Sequence, residues 1–191
     1  SSAAKELGAT GVVADVANDD DVERTYAETI EALGGLDVLI NNAGIGVHKP
    51  LSELTREDYR TVFEVNVFGA AMMAKRAAAI FTEQGGGHIV NVASTSGLRG
   101  YARGSVYSAS KFAMRSMSEC WRAELRPHNI RVIQVNPSFV PTAFGREDRI
   151  EQPEEKGKLT PAEIAHAIVG ALEMDDRGFI PELTVHATNP F

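Results

Sequence analysis

The chain has little cysteine: Cys120 stands alone among 191 residues, so no internal disulfide can form. That suits a reducing, cytoplasmic setting, and Cys120 reads as a small packed apolar side chain. Long hydrophobic runs are missing too. Every apolar stretch is strand-sized or broken by charge, short of the roughly 18 residues a membrane-spanning helix needs. Positive charge is scarce, with 19 Lys and Arg against 26 Asp and Glu, a net charge of −7 and no basic stripe. Nucleic acid and acidic membrane surfaces are therefore poor partners. His48, His88, His128, His166 and His186 show no metal-ligand spacing, so no metal is expected, and no paired-carboxylate or serine-hydrolase constellation competes for attention. What the chain does have is 43% hydrophobic and 24% charged residues, the composition of a globular domain, and residues 1–191 read as one.

Strand-like and helical patterns alternate along it. GVVAD (11–15) predicts a strand, and the following segment carries Val22, Tyr26, Ile30 and Leu33 at helical spacing, with acids in the first turn and glycine at the end. LDVLINN (36–42) predicts a buried strand. A long helix follows to about Gln84, opened by Thr55 and Asp58 at capping-box spacing and ended by the glycines at 85–87. HIVNVAS (88–94) and IRVIQVNP (130–137) predict two more strands with a helix between them, closed by Pro127. Thr160, Pro161 and Glu163 then open a last helix, and LTVHA (183–187) predicts a final strand. Strands apolar on both faces that alternate with helices imply a parallel sheet covered on both sides: a doubly wound, three-layer α/β domain of Rossmann-like type.

Ligands in such folds bind beyond the carboxyl ends of the strands. There the chain places NNAG (41–44), ASTSG (93–97) and NPSFVPT (136–142), small and polar residues suited to close backbone approach. Next to the second of these begins the helix with Tyr107 and Lys111, which four-residue spacing puts on one face. A phenol is a weak base at neutral pH. An ammonium about 4 Å away contributes on the order of 4 kcal/mol at an effective dielectric near 20, enough to draw a phenol toward the physiological range and make it an acid/base.

NNAG, Asn66-Val-Phe-Gly69 in the long helix, HIVNVAS ending in Ser94, and Tyr107-Ser-Ala-Ser-Lys111 occur in an order and spacing that resemble the short-chain dehydrogenase/reductase family over essentially the whole chain. The resemblance implies an oxidoreductase that transfers a hydride between NAD or NADP and a secondary alcohol or ketone. It implies Tyr107 as general acid/base, Lys111 as the residue that lowers its pKa and holds the nicotinamide ribose, Ser94 as the group orienting the substrate oxygen, and Asn66 as support for a relay water. Asp15 and Val16 resemble the adenine-contacting pair. Asn42, Ala43 and Gly44 resemble the segment along the adenine ribose, and Pro137, Val140 and Thr142 the residues at the nicotinamide end. Ser138 stands where the family usually has glycine, which touches only the local turn. The family also opens with a strand, a glycine-rich turn, a helix and a second strand. Here SSAAKELGAT reads as the tail of the second helix. The chain is accordingly expected to lack an N-terminal portion of on the order of 50 residues, leaving GVVAD without a neighbour and NAD and NADP undistinguished.

The helices over 56–84 and 107–126 are apolar on more faces than one sheet contact buries, and the resemblance pairs each with its copy in a homodimer or homotetramer. Residues 138–159 correspond by position to the family's substrate loop. Phe139, Phe144 and Tyr101 are candidates for an apolar wall, and Arg99 or Arg103 for meeting an anionic group. Two alternatives stay open: a lyase or epimerase on the same fold, and a non-catalytic fragment or binding module.

Overall fold

The computed structural model describes residues 2–145, 148, 150 and 152–189. Four strands, β1 (Val38–Asn41), β2 (Gly87–Val92), β3 (Ile130–Pro137) and β4 (Glu182–Val185), form a parallel sheet in that spatial order. Asn41 lies beside Asn91, Val92 beside Val135 and Pro137 beside Val185. The strands therefore end along one edge, from which 42–44, 93–97 and 138–142 emerge.

Helices α1 (Ser2–Glu6) and α2 (Asp19–Leu33) precede β1, and α3 (Arg56–Phe63), α4 (Ala70–Gln84), α5 (Ser105–Leu125) and α6 (Pro161–Leu172) connect the strands. Their ends follow local chemistry. The Asn18 side chain accepts from Asp21 N ahead of three acids in the first turn of α2, and Gly34 ends that helix at φ 78°. Thr55 with Asp58, and Thr160 with Glu163, make reciprocal capping boxes on α3 and α6. Gly85, at φ 84°, stops α4.

The period-2 alternation of the strands sends neighbours to opposite layers. Leu39, Ile89 and Val132 pack with Ala74, Ala77 and Phe81 of α4, Val22 and Tyr26 of α2, and the partly buried Trp121 and Leu125 of α5. Val90, Ile133 and Val135 pack with Ile164, Ile168 and Ala171 of α6 on the other face. Each fully buried side chain of this size contributes roughly 1.5–3 kcal/mol, and the two clusters hold the sheet between its helix layers. Two asparagines between the layers are paired: Asn41 Nδ2 donates to Asn91 Oδ1 at 3.0 Å, and Asn91 Nδ2 to Ser118 Oγ at 2.8 Å. This chain fixes β1, β2 and α5 relative to one another.

Two expectations are corrected. Residues 11–15 are not a strand: Val13 is 84% exposed, and among the described residues no strand runs beside them to complete a ladder. Instead Arg24 Nη2 donates to Val13 O at 2.8 Å. Cys120 is exposed, not packed. The helix over 56–84 is continuous but not regular, because α3 and α4 are joined by a π turn, Glu64–Gly69, that contains Asn66.

Candidate active site

After β2 the chain runs through Ala93 to Ser94, then turns through a 3₁₀ segment, Thr95–Gly97, in which Ser94 Oγ accepts from Ser96 N at 3.1 Å. Gly97 lets this turn lie directly on α5, since a Cβ there would stand 2.7 Å from Lys111 O. A second tie comes from the Ser108 hydroxyl, which donates to Ser96 O at 2.6 Å. The strand end carrying Ser94 is thus pinned to the first turns of α5, where Tyr107 and Lys111 share a face as their spacing predicts.

Both are nearly sealed from solvent, Tyr107 at 8% exposure and Lys111 at 4%. Lys111 Nζ donates to Val92 O at 2.9 Å and sits 5.7 Å from the centre of the Tyr107 ring. Burial pushes the Lys111 ammonium down to about 8. Burial also pushes the Tyr107 phenol above its ordinary value, against the hydrogen bond from Ser94. The downward pull expected from the Lys111 ammonium is not what sets the direction: loss of water does.

Asn66 is completely buried. Its Oδ1 accepts from Ile45 N at 2.8 Å, and its Nδ2 donates to Ile45 O at 2.9 Å and to Ser110 Oγ at 3.0 Å. The Ser110 hydroxyl in turn donates to Tyr107 O at 2.7 Å. The carboxamide ties the segment after β1 to the turn of α5 that carries Tyr107 and has no donor left over.

The residues assigned to a dinucleotide fall into two groups. Gly44 lies close to Asn66 and Lys111: a Cβ at 44 would be 3.3 Å from Asn66 Oδ1 and 3.7 Å from Lys111 Nζ. Asn42 and Ala43, just before it, are exposed. Val16 packs on Gly69 of the π turn, whose absent Cβ would meet Val16 at 2.8 Å, and the two line a recess of about 420 Å³ with Asn18, Asp19, Phe68 and Met72. Asp15 keeps its carboxylate local, accepting from Ala17 N at 2.9 Å. Beyond β3, Pro137 and Val140 are half-buried, and Thr142 Oγ1 accepts from Phe144 N at 3.2 Å. Of residues 138–159, positions 146, 147, 149 and 151 lie outside the described residues.

Sequence reasoning missed His48. It stands with its ring 5.5 Å from that of Tyr107, and its Nδ1 lies 3.1 Å from the Tyr101 hydroxyl. A lone histidine on a loop carries no periodicity or spacing that would have marked it. Arg99 and Arg103 are both exposed.

A parallel α/β sheet with a buried tyrosine–lysine pair and a serine at adjoining strand ends defines a class that the comparisons then name. The family model described as short chain dehydrogenase matches residues 1–153. An uncharacterized oxidoreductase of Staphylococcus aureus (strain N315) is 29% identical over 174 residues, covering 91% of this chain and 74% of that protein. The alcohol dehydrogenase of the archaeon Thermococcus sibiricus, solved with 5-hydroxy-NADP, superposes with a TM-score of 0.86 at 29% identity over 97% of this chain and 78% of its own. The 3-ketoacyl-(acyl-carrier-protein) reductase of Brucella melitensis, solved with NADH, gives 0.83 at 26% identity over 96% and 79%. The chain belongs to the short-chain dehydrogenase family of oxidoreductases.

Proposed function

We propose that this protein transfers a hydride between NAD or NADP and a secondary alcohol or ketone, with Tyr107 as general acid/base. The observation that carries this is the Lys111 ammonium, buried yet giving only one of its three N–H groups to a described acceptor, Val92 O. A buried ammonium with donors to spare is costly unless a ligand completes it. Nicotinamide ribose hydroxyls suit those donors, and Gly44, bare of side chain, leaves the approach open. The dinucleotide, when bound, supplies or accepts the hydride.

The protein's own residues handle the proton and the geometry. In reduction, the Ser94 hydroxyl donates to the substrate carbonyl oxygen, where negative charge grows as hydride reaches the carbon. Tyr107 O–H then gives its proton to that oxygen, and oxidation runs the same transfers backwards. A phenol held high by burial is protonated at neutral pH, so the apo site is set up as a proton donor. Lys111, below about 8, is the nearby cation that stabilises the phenolate once the proton has left. Because both Asn66 Nδ2 hydrogens are committed, it can support a relay water only as an acceptor, through the second lone pair of Oδ1. Val16 and the recess beside Gly69 suit the adenine end, and Val140 and Thr142 the nicotinamide end.

The test is fluorescence titration with NADH and NADPH on wild type and Lys111→Ala, followed by turnover of a ketone panel. Saturable binding weakened in the variant, with ketone-dependent cofactor oxidation, supports the reading and selects the cofactor. Binding without net oxidation turns it toward a lyase or epimerase, and no binding toward a non-catalytic module.

A further inference from the structure

Two loops converge on the Tyr107 ring from different parts of the chain, and a third braces one of them. His48, on the segment after β1, meets it edge-on with centroids 5.5 Å apart and planes at 62°. Phe144, on the segment after β3, meets the same ring at 5.5 Å and 53°. Tyr101, between the Ser94 turn and α5, holds His48 in place: its hydroxyl is 3.1 Å from His48 Nδ1, and the two rings are 6.1 Å apart. Gly46 makes room for this, since a Cβ there would stand 3.0 Å from His48 Nε2 and 3.4 Å from Phe144 Cε1 and Cζ. None of these side chains takes part in the proton and hydride transfers above.

We propose that His48 and Phe144 are specificity-determining residues that select a carbonyl substrate bearing an aryl ring on the reacting carbon, with Tyr101 as the residue that positions His48. This rests on the reading that Tyr107 is the acid/base. An aryl ketone has its ring one bond from the carbonyl carbon, so a carbonyl oxygen within reach of the Tyr107 hydroxyl brings that ring to the side chains flanking the phenol. Aromatic rings favour tilted and edge-to-face contacts at about 4.5–7 Å between centroids, and the walls here are already spaced and inclined that way. Burial, helped by the charge of Arg103, holds the His48 imidazole below its ordinary value. At neutral pH it is then an uncharged ring and offers an anion no countercharge. Arg103 is the competing anchor, for an anionic substituent. It is exposed and acts on His48 through charge, whereas the rings touch Tyr107 itself.

The test uses the full-length protein with its saturating cofactor, and compares kcat/KM for acetophenone, 2-pentanone and pyruvate. Acetophenone should lead 2-pentanone by about three- to tenfold, the worth of one or two aromatic contacts, and pyruvate should trail both. His48→Ala should lower the aryl-to-alkyl ratio by about twofold or more, Phe144 retaining the rest. His48→Phe, which keeps a ring but loses Nδ1, should hold it within about twofold of wild type. Tyr101→Phe should raise KM for acetophenone while leaving kcat in place, a split that simple loss of folding does not produce. Independently of turnover, acetophenone should move the ¹⁵N imidazole signals of His48, and 2-pentanone should not. A wild-type preference for 2-pentanone or pyruvate, or an unchanged ratio in active His48→Ala, overturns the proposal. Ketone turnover with no aryl preference sinks it alone. Acetophenone binding at His48 with no cofactor oxidation by any ketone upholds it and sinks the redox reading instead.

Discussion

The Asn66 carboxamide pairs with both backbone groups of Ile45, accepting from its N–H at 2.8 Å and donating to its carbonyl at 2.9 Å. One side chain thus imitates a neighbouring strand for a residue just beyond the end of β1, where no strand continues. The second Nδ2 hydrogen goes to Ser110, and Ser110 donates on to the Tyr107 carbonyl. The segment after β1 and the turn of α5 that carries Tyr107 are therefore held by the same amide, which sits on the π turn.

Asn66→Ala should strip partners from the Ile45 N–H and C=O together. Ile45 is only part-buried, so each orphaned group costs near the low end of about 1–3 kcal/mol, and a loss of about 2–3 kcal/mol is expected in urea unfolding, with weaker cofactor binding at temperatures where the variant stays folded. A variant of near wild-type stability would show that the segment after β1 is held by something else.

Lys111 gives stability a pH dependence with a definite sign. Its folded value, about 8, lies below the ordinary 10.5, so between those values the unfolded chain binds more protons and stability rises with pH. Below pH 8 the burial penalty applies in full, on the order of 3 kcal/mol for a gap of this size. Lys111→Met, which keeps the bulk and removes the charge, should therefore be the more stable protein at pH 7, and its advantage should shrink as pH climbs through 8 to 10.5. Chemical denaturation of both proteins across that range reads the difference directly, and a constant gap would contradict the burial argument. The same substitution should abolish turnover.

Much of this fold was legible because its signals are local. The apolar runs at 36–42, 88–94 and 130–137 each became a strand, and the Thr55 and Thr160 capping boxes formed as their spacing required. The tyrosine–lysine spacing on α5 was legible for the same reason. GVVAD failed because strand pattern states only a capacity to pair, and pairing needs a neighbour. The direction of the Tyr107 shift failed because spacing reveals that two groups share a face but not how much water both lose. His48, Tyr101 and Phe144 belong to three separate loops, so the cluster they form around Tyr107 and His48 depends on the tertiary fold and leaves no mark in any short window of sequence.

Phe68 and Phe112 are 52% and 41% exposed on the π turn and α5. The expectation that the helices over 56–84 and 107–126 pair with their copies makes these rings interface residues. Phe112→Glu should halve or quarter the mass measured by light scattering while leaving the circular dichroism spectrum unchanged. A wild-type protein that is already monomeric would remove the basis for this pairing.

Gly97→Ala probes the joint between Ser94 and α5. A methyl at 97 would stand 2.7 Å from Lys111 O and 2.9 Å from its carbonyl carbon. That is backbone inside a helix, so neither side can yield by a rotamer change. The Ser94 turn must lift off α5, and the distance from the Ser94 hydroxyl to Tyr107 must grow. On the proposed mechanism both groups meet one substrate oxygen, so a displacement near 1 Å is expected to lower kcat by about a hundredfold. The cofactor should bind as before, because Lys111 stays on its own helix. Gly100→Ala is the matched control in the same connection. Its added methyl would come no closer than 3.9 Å to Ser108 Oγ, ordinary contact, so kcat should hold. Equal activity in the two variants would mean that Ser94 does not need the geometry the Gly97 packing imposes on it, and its role at the substrate oxygen would have to be given up.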